Sequence, residues 1–285
     1  MSAPRRAAAA ASVPEIHPTA VVAPGAHLEA GVVVGPYAVV GEDVTIGAGT
    51  RIGPHVVIEE GVRIGRDNVI STGTIIGCLP QDRKFLGERS HVVIGDRNLI
   101  REYASISRAT GAGEATTIGS DNFVMSYVRI DHNARLGNRV VLVGGSMVAG
   151  HVEVDDDAYV SGMTGLHQFV RVGRLAMIGG YTMLRQDCPP FILVTGVPGR
   201  ARALNLVGLR RNGVAAADRS ALRRAFHIFY QSQLGRTRAL AALVDELGDH
   251  PLVRELIDFL QTSRGSRRGL VRWSGQTEPE SDPEP

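Results

Sequence analysis

Cysteine is almost missing from this chain: Cys78 and Cys188 are the only two, far apart and with no Cys-x-x-Cys spacing. That excludes a disulfide framework and a cysteine-based zinc site. Long apolar runs are missing as well. The longest candidate, VVLVGGSMVAG at 140–150, falls short of the roughly 18 to 20 residues that cross a bilayer. Net charge is nearly absent at +2, which argues against nucleic acid as a partner. The opening MSAPRRAAAAASVPEIHP lacks the apolar segment of a secretory signal, so the expectation is a cytoplasmic protein with a disordered tail at 1–14. Lysine is the scarcest charge: Lys84 is alone among 31 basic residues, the other thirty being arginine. A single compact, flexible ammonium kept beside Gln81 and Asp82 makes Lys84 a candidate for binding a phosphate or hydroxyl.

What the sequence has in abundance is a beat of six. From Ile16 to Leu184 there are (184 − 16)/6 + 1 = 29 slots, and only Asp82, Glu88 and Ala112 are not aliphatic. Helices repeat near 3.6 residues and strands near 2, so a sustained six requires a solenoid. The slot two earlier is usually small or β-branched (Ala38, Val44, Thr50), and the slot after is often glycine (Gly35, Gly41, Gly47). Each hexad therefore predicts a short strand ending in a corner, with glycine tolerating the corner's backbone geometry. Three sides close a triangular coil of about eighteen residues, and neighbouring coils pair as parallel strands about 4.8 Å apart. The expected fold is mainly β, a parallel β-helix spanning 15–190.

The pattern fails near 78–91 and 108–117, predicting loops thrown off a corner, where solenoids commonly build ligand walls. After Leu184 the Pro- and Gly-rich CPPFILVTGVPGR reads as an exit. Apolar residues then fall at helical spacing (Leu204, Val207, Leu209; Leu222, Phe226, Phe229), predicting an α-helical C-terminal domain over 191–272. Asp218 and Asp249 are read as N-terminal helix signals. The acidic, Pro-rich end at 273–285 predicts disorder.

The eighteen-residue coil aligns His132, Gly150 and Gln168 on one face, with His151 and His167 beside them. Three histidines in register around a glycine point to a reactive ridge. A metal-binding alternative would follow the His-x4-His spacing of gamma carbonic anhydrases, which does not occur here, so no metal is expected.

The segments QDRK, GDRNLIRE, IDHN, LGNRV, VAGHVEVDD, GMTGLHQF, QDCPP, NLVGLRRNG and RGLVR resemble the UDP-N-acetylglucosamine acyltransferase family of lipid A biosynthesis, over roughly residues 15–272. The resemblance implies a left-handed β-helix, a homotrimer, and transfer of an acyl chain from acyl carrier protein to a UDP-sugar, with no cofactor beyond the thioester. It implies His132 as general base and the Gly150 N–H as oxyanion donor. Asp82, Lys84, His151, His167 and Gln168 become sugar-nucleotide contacts, Asn205 and Arg211 contacts in the cap, and Gly180 the position that limits acyl length. Imidazole, with an ordinary pKa of about 6.5, suits a base at neutral pH.

The chain departs from the family pattern beside the base. Asn133 stands where an aspartate is usual, Arg129 where a histidine is usual, and Val207 and Asn212 replace charged residues of the cap. An amide can orient an imidazole but supplies no negative charge. Three readings are compatible with this: the usual reaction, with Asp131 or a neighbouring subunit supplying the charge; acylation of a different UDP-sugar or UDP-amino-sugar; or an inactive trimeric scaffold.

Overall fold

Short strands follow one another from Glu15 to Leu184, most of them two residues long with the first facing outward and the second inward. The computed structural model describes residues 13–232, 234–263 and 266–275. The expected disordered tails at 1–14 and 273–285 fall, but for residues 13–14 and 273–275, outside the described residues. The strands form three sheets of eleven, nine and eight strands, parallel throughout the solenoid, in a left-handed β-helix.

Pairing is eighteen residues apart through most of the length, as in Val34↔Ile52 and Leu142↔Val160. It widens to Ile70↔Ile100 and then Ile100↔Val124, that is 30 = 18 + 12 and 24 = 18 + 6. The inserted loops are whole hexads, so the frame survives them. Asp82, Glu88 and Ala112 break the aliphatic rule because they lie in the insertions and not on a wall of the prism.

Inward residues such as Ile46, Ile58, Ile106 and Ile130 are wholly buried. Where the core needs a polar corner, Asn68, Asn98 and Asn122 stack: Asn98 N donates to Asn68 Oδ1 and Asn122 N to Asn98 Oδ1, each at 2.9 Å. The Asn68 and Asn98 amides are thereby partnered coil to coil, whereas Asn122 Nδ2 is buried without a partner. The outward face of the nine-stranded sheet is apolar along its first coils (Val21, Val39, Ile75), whereas the eight-stranded sheet carries Arg63, Arg135 and Glu153.

The corner glycines do a different job from the one expected. Positive φ falls two residues later, on side-chain-bearing residues such as Asp43, His55 and Asn133. Glycine is needed at the earlier position because the next coil is too close: a Cβ on Gly47 would lie 2.6 Å from the backbone of Gly65.

Past Leu184 the sheet continues where an exit was expected. Ile192–Thr195 pairs in parallel with Met177–Ile178, and Arg200–Leu204 folds back on it antiparallel, so Leu204 belongs to a strand. The β-branched run of Ile192–Thr195, followed by a turn through Gly196 and Pro198, favours strand over coil. Helices α1 (Leu206–Arg211), α2 (Ala216–Phe226), α3 (Arg236–Leu247) and α4 (Pro251–Thr262) follow. Asp218 lies inside the first turn of α2, and α4 is entered from His250 with Pro251 at its start, so neither Asp218 nor Asp249 caps a helix. A bidentate pair between Arg174 and Glu255, at 2.9 and 2.7 Å, fastens α4 to the solenoid.

Candidate active site

The ridge is the corner between the nine- and eight-stranded sheets. Registers Ile130↔Val148 and Val148↔Leu166 stack His132, Gly150 and Gln168 in one column and Asn133, His151 and Phe169 in the next. The backbone ties the columns together: His151 N donates to His132 O at 3.0 Å and Phe169 N to Gly150 O at 3.1 Å. Asn133, His151 and Phe169 all have positive φ, which turns their side chains along the ridge.

Both inserted loops leave this same corner, from strands Ile75–Cys78 and Ser105–Ser107. They are locked to each other through Glu88, whose carboxylate accepts from Gly111 N at 2.7 Å and Leu86 N at 2.8 Å. They are locked to the ridge as well. Arg129 donates to Asp131 at 2.7 Å and to Gln81 Oε1 at 2.9 Å, so its charge is shared between a carboxylate and the loop. The same pairing occupies Asp131. The carboxylate beside His132 is that of Asp82, with Oδ2 4.0 Å from His132 Nδ1. Accepting the Lys84 backbone N–H, and facing His132, holds the Asp82 carboxyl below its ordinary range, so it is ionised at neutral pH.

Asn133 fixes the state of the imidazole. Its Nδ2 donates to Thr110 O at 3.0 Å and its Oδ1 accepts from Thr110 N at 2.9 Å, which settles the end of the amide that is oxygen. That oxygen lies 3.0 Å from His132 Nδ1. In the neutral ring Nδ1 therefore carries the proton and the lone pair is on Nε2, the atom nearest a Cβ placed on Gly150. The Gly150 N–H has no acceptor among the described residues. Nε2 of His132 and the backbone of Gly150 thus meet at this corner. The ring of His151 meets His132 edge-on, with centroids 5.3 Å apart. Burial depresses the His151 pKa, and a proton on His132 would lower it further, so His151 favours its neutral form.

Asn133→Asp would set a carboxylate oxygen against the Thr110 carbonyl, a loss of about 1–3 kcal/mol. It adds a charge that Asp82 already supplies. The expected result is a lower melting temperature with no rise in kcat, read by thermal unfolding and steady-state rates; a faster enzyme of unchanged stability would show that the missing carboxylate limits the base.

A cleft of about 420 Å³ opens at the ridge, lined by Gln81, His132, Gly150, His167, Gln168 and, on its apolar side, Met147, Gly165 and Met183. Asp82 and Lys84 lie on the loop beside it. Gly180 is not in this lining; it sits at the corner between the eleven- and nine-stranded sheets, just ahead of the strand that carries Met183. Asn205 is at another corner: its side chain caps α1 through Gly208 N and donates to Leu175 O, both at 2.9 Å. Arg211 is exposed at the end of α1. Phe169 and Thr110 escaped the sequence reading, although Phe169 is eighteen residues after His151 and the coil length alone places it. No spacing signal marks Thr110. Among the described residues, no three His, Cys, Asp or Glu side chains converge as a metal site would require.

Two family descriptions match the chain: "Udp N-acetylglucosamine O-acyltransferase; Domain 2" over residues 187–271 and "Bacterial transferase hexapeptide (six repeats)" over residues 43–78. Among curated proteins, the acyl-[acyl-carrier-protein]–UDP-N-acetylglucosamine O-acyltransferase of Xylella fastidiosa is 41% identical over 259 residues, covering 90% of this chain and 97% of its own. That of Gloeothece citriformis is 46% identical over 206 residues, covering 72% and 74%. The crystal structure of the Francisella novicida UDP-N-acetylglucosamine acyltransferase superposes with a TM-score of 0.87 at 34% identity, covering 91% of this chain and 95% of that one.

Proposed function

This chain belongs to the acyl-[acyl-carrier-protein]–UDP-N-acetylglucosamine O-acyltransferase family, and from that premise we propose that it transfers an acyl chain from acyl carrier protein to the 3-hydroxyl of UDP-N-acetylglucosamine through His132. The observation that carries the mechanism is that His132 Nε2, the ring nitrogen turned away from Asn133, lies 2.5 Å from where a Cβ on Gly150 would stand, while the Gly150 N–H meets no acceptor among the described residues.

Nε2 removes the hydroxyl proton as the sugar oxygen attacks the thioester carbonyl. The carbonyl oxygen becomes an oxyanion, which the Gly150 N–H receives; one such preorganised donor contributes about 2.7–4 kcal/mol. The C–S bond then breaks, and the imidazolium returns the proton to the departing thiolate. Asp82 stabilises the transient imidazolium, whereas Asn133 holds its tautomer. Atoms and charge balance with no prosthetic group and no acyl-enzyme. Cys188 is unsuited to covalent catalysis, since it is wholly buried and burial pushes its thiol pKa up.

His167 and Gln168 line the cleft, with His151 against His132 and Lys84 on the loop beside it; these four are assigned to the sugar nucleotide, and the apolar Met147, Gly165 and Met183 to the acyl chain, with Gly180 farther along that path. Asn205 and Arg211 stand apart from the cleft of their own chain, so a nucleotide contact from them requires the cleft of a neighbouring subunit. A homotrimer would supply it. Support comes from the apolar outward face of the nine-stranded sheet and from exposed, stacked rings along the corner it shares with the eleven-stranded sheet, Tyr37 with His55 at 5.1 Å and Tyr103 with Tyr127 at 5.3 Å. Among the described residues no helix is long and apolar enough to cross a membrane, and use of a carrier-protein thioester accords with a cytoplasmic reaction.

Incubation with a panel of acyl carrier thioesters and UDP-sugars, followed by mass spectrometry, tests the assignment. The expected product is UDP-N-acetylglucosamine heavier by one acyl group. Binding of the nucleotide with no transfer from any thioester would favour a scaffold.

A further inference from the structure

The ridge does not end at the histidines. Phe169 stacks on His151 with ring centroids 4.6 Å apart and planes 11° from parallel, and the guanidinium of Arg267 lies 4.3 Å from the centre of the Phe169 ring. A continuous pile thus runs from Arg267 through Phe169 and His151 to the edge of His132. Its outer end is anchored independently. Residues 266–272 lie across the end of the solenoid: Asp187 N donates to Gly269 O at 2.7 Å and Val271 N to Asp187 O at 3.0 Å. Arg268 Nε donates to Gln168 O at 2.7 Å, at the foot of the same corner.

We propose that Phe169 and Arg267 are positioning residues for the transfer: the C-terminal strap clamps the Phe169 ring against His151 and so holds His151 in its edge-on contact with the base. Stacking restricts His151 to one plane, and the cation over the far face of Phe169 holds that ring in turn. Desolvation under this pile accords with the depressed pKa of His151, to which Arg267 and Lys84 also contribute and which Asp82 opposes. The strap brings the far end of the chain to the reacting corner, so that a segment beyond the last helix completes the site.

This inference rests on His132 being the base and His151 its neighbour, and two measurements separate the claims. In the first, Phe169→Leu, which keeps an apolar side chain on the same backbone, is expected to lower kcat about tenfold, in line with the cost of losing an aromatic pair, with the melting temperature unchanged. Phe169→Tyr restores the rate to within about twofold, and Arg267→Met has a smaller effect, about threefold, as expected for a partly exposed cation–π contact. In a His151→Ala background Phe169→Leu should cost nothing more, because its effect passes through that ring. An unchanged kcat in Phe169→Leu, or a full tenfold loss persisting without His151, overturns the proposal. The second needs no turnover: in histidine-labelled protein, the ring protons of His151 should be shifted upfield by the stacked Phe169 and move downfield in Phe169→Leu. No movement would refute the clamp even if the protein proved inactive, whereas movement without any transfer activity would refute only the catalytic assignment.

Discussion

Replacing His132 with alanine is expected to lower kcat by about 10²- to 10⁴-fold, the range contributed by a positioned proton acceptor, while the nucleotide still binds and the fold is kept. The size follows from the site's economy of parts. Nε2 is the imidazole nitrogen that lies against Gly150, 2.5 Å from where its Cβ would stand, and the Asn133 amide clipped to Thr110 engages the other ring nitrogen. His151 cannot take over, since its ring meets His132 edge-on and is pinned by Phe169. The solenoid ladder is kept, since the bond His132 makes to His151 N is from its backbone carbonyl; what alanine gives up is the side-chain contact with Asn133 and the edge-on contact with His151. Steady-state rates with calorimetric binding of the nucleotide check this. A loss of binding equal to the loss of rate would move His132 from base to ligand-holder.

Gly150→Ala is the second large effect, and it separates geometry from chemistry. The substitution leaves the oxyanion N–H in place, and Gly150 does not have a positive φ, so alanine carries no backbone penalty. Its methyl would lie 2.5 Å from Nε2 and 2.6 Å from Cε1 of His132, inside contact distance. The imidazole must swing away, giving up the 3.0 Å contact with Asn133. A displacement of about 1 Å at a reacting group can cost about a hundredfold, and a fall in kcat of at least that size is expected with near-normal thermal stability. A variant within a few-fold of wild type would show that the base does not work from the observed position.

Much of this was legible in the chain. The beat of six set the coil, and because the insertions after Cys78 and Ser107 lengthen the coils by twelve and six residues, whole hexads, it carried the frame from Ile16 to Leu184 and aligned His132, Gly150 and Gln168. What stayed hidden depended on contacts that no period encodes. Asp82 lies in an inserted hexad, so its approach to His132 is set by how the loop folds back, and the charge that Asn133 seemed to lack comes from there. Arg129 read as a cation beside the base, whereas its guanidinium is taken up by Asp131 and Gln81. The cap that the Asn205 side chain places on α1, and its bond to Leu175 O, carry no signal in the sequence. The strand Ile192–Thr195 was passed over because its prolines and glycines flank it without interrupting it. Arg267 could not have been found, since a residue ninety-eight positions after Phe169 meets it only through the cap.

The atom that receives the acyl group tests the central claim most directly. Product made from UDP-N-acetylglucosamine and an acyl carrier thioester, examined by NMR and by mild alkali, is predicted to carry the chain on the 3-oxygen as an alkali-labile ester, with none formed by His132→Ala. An alkali-stable amide made from an amino-sugar nucleotide, with UDP-N-acetylglucosamine left untouched, would contradict it.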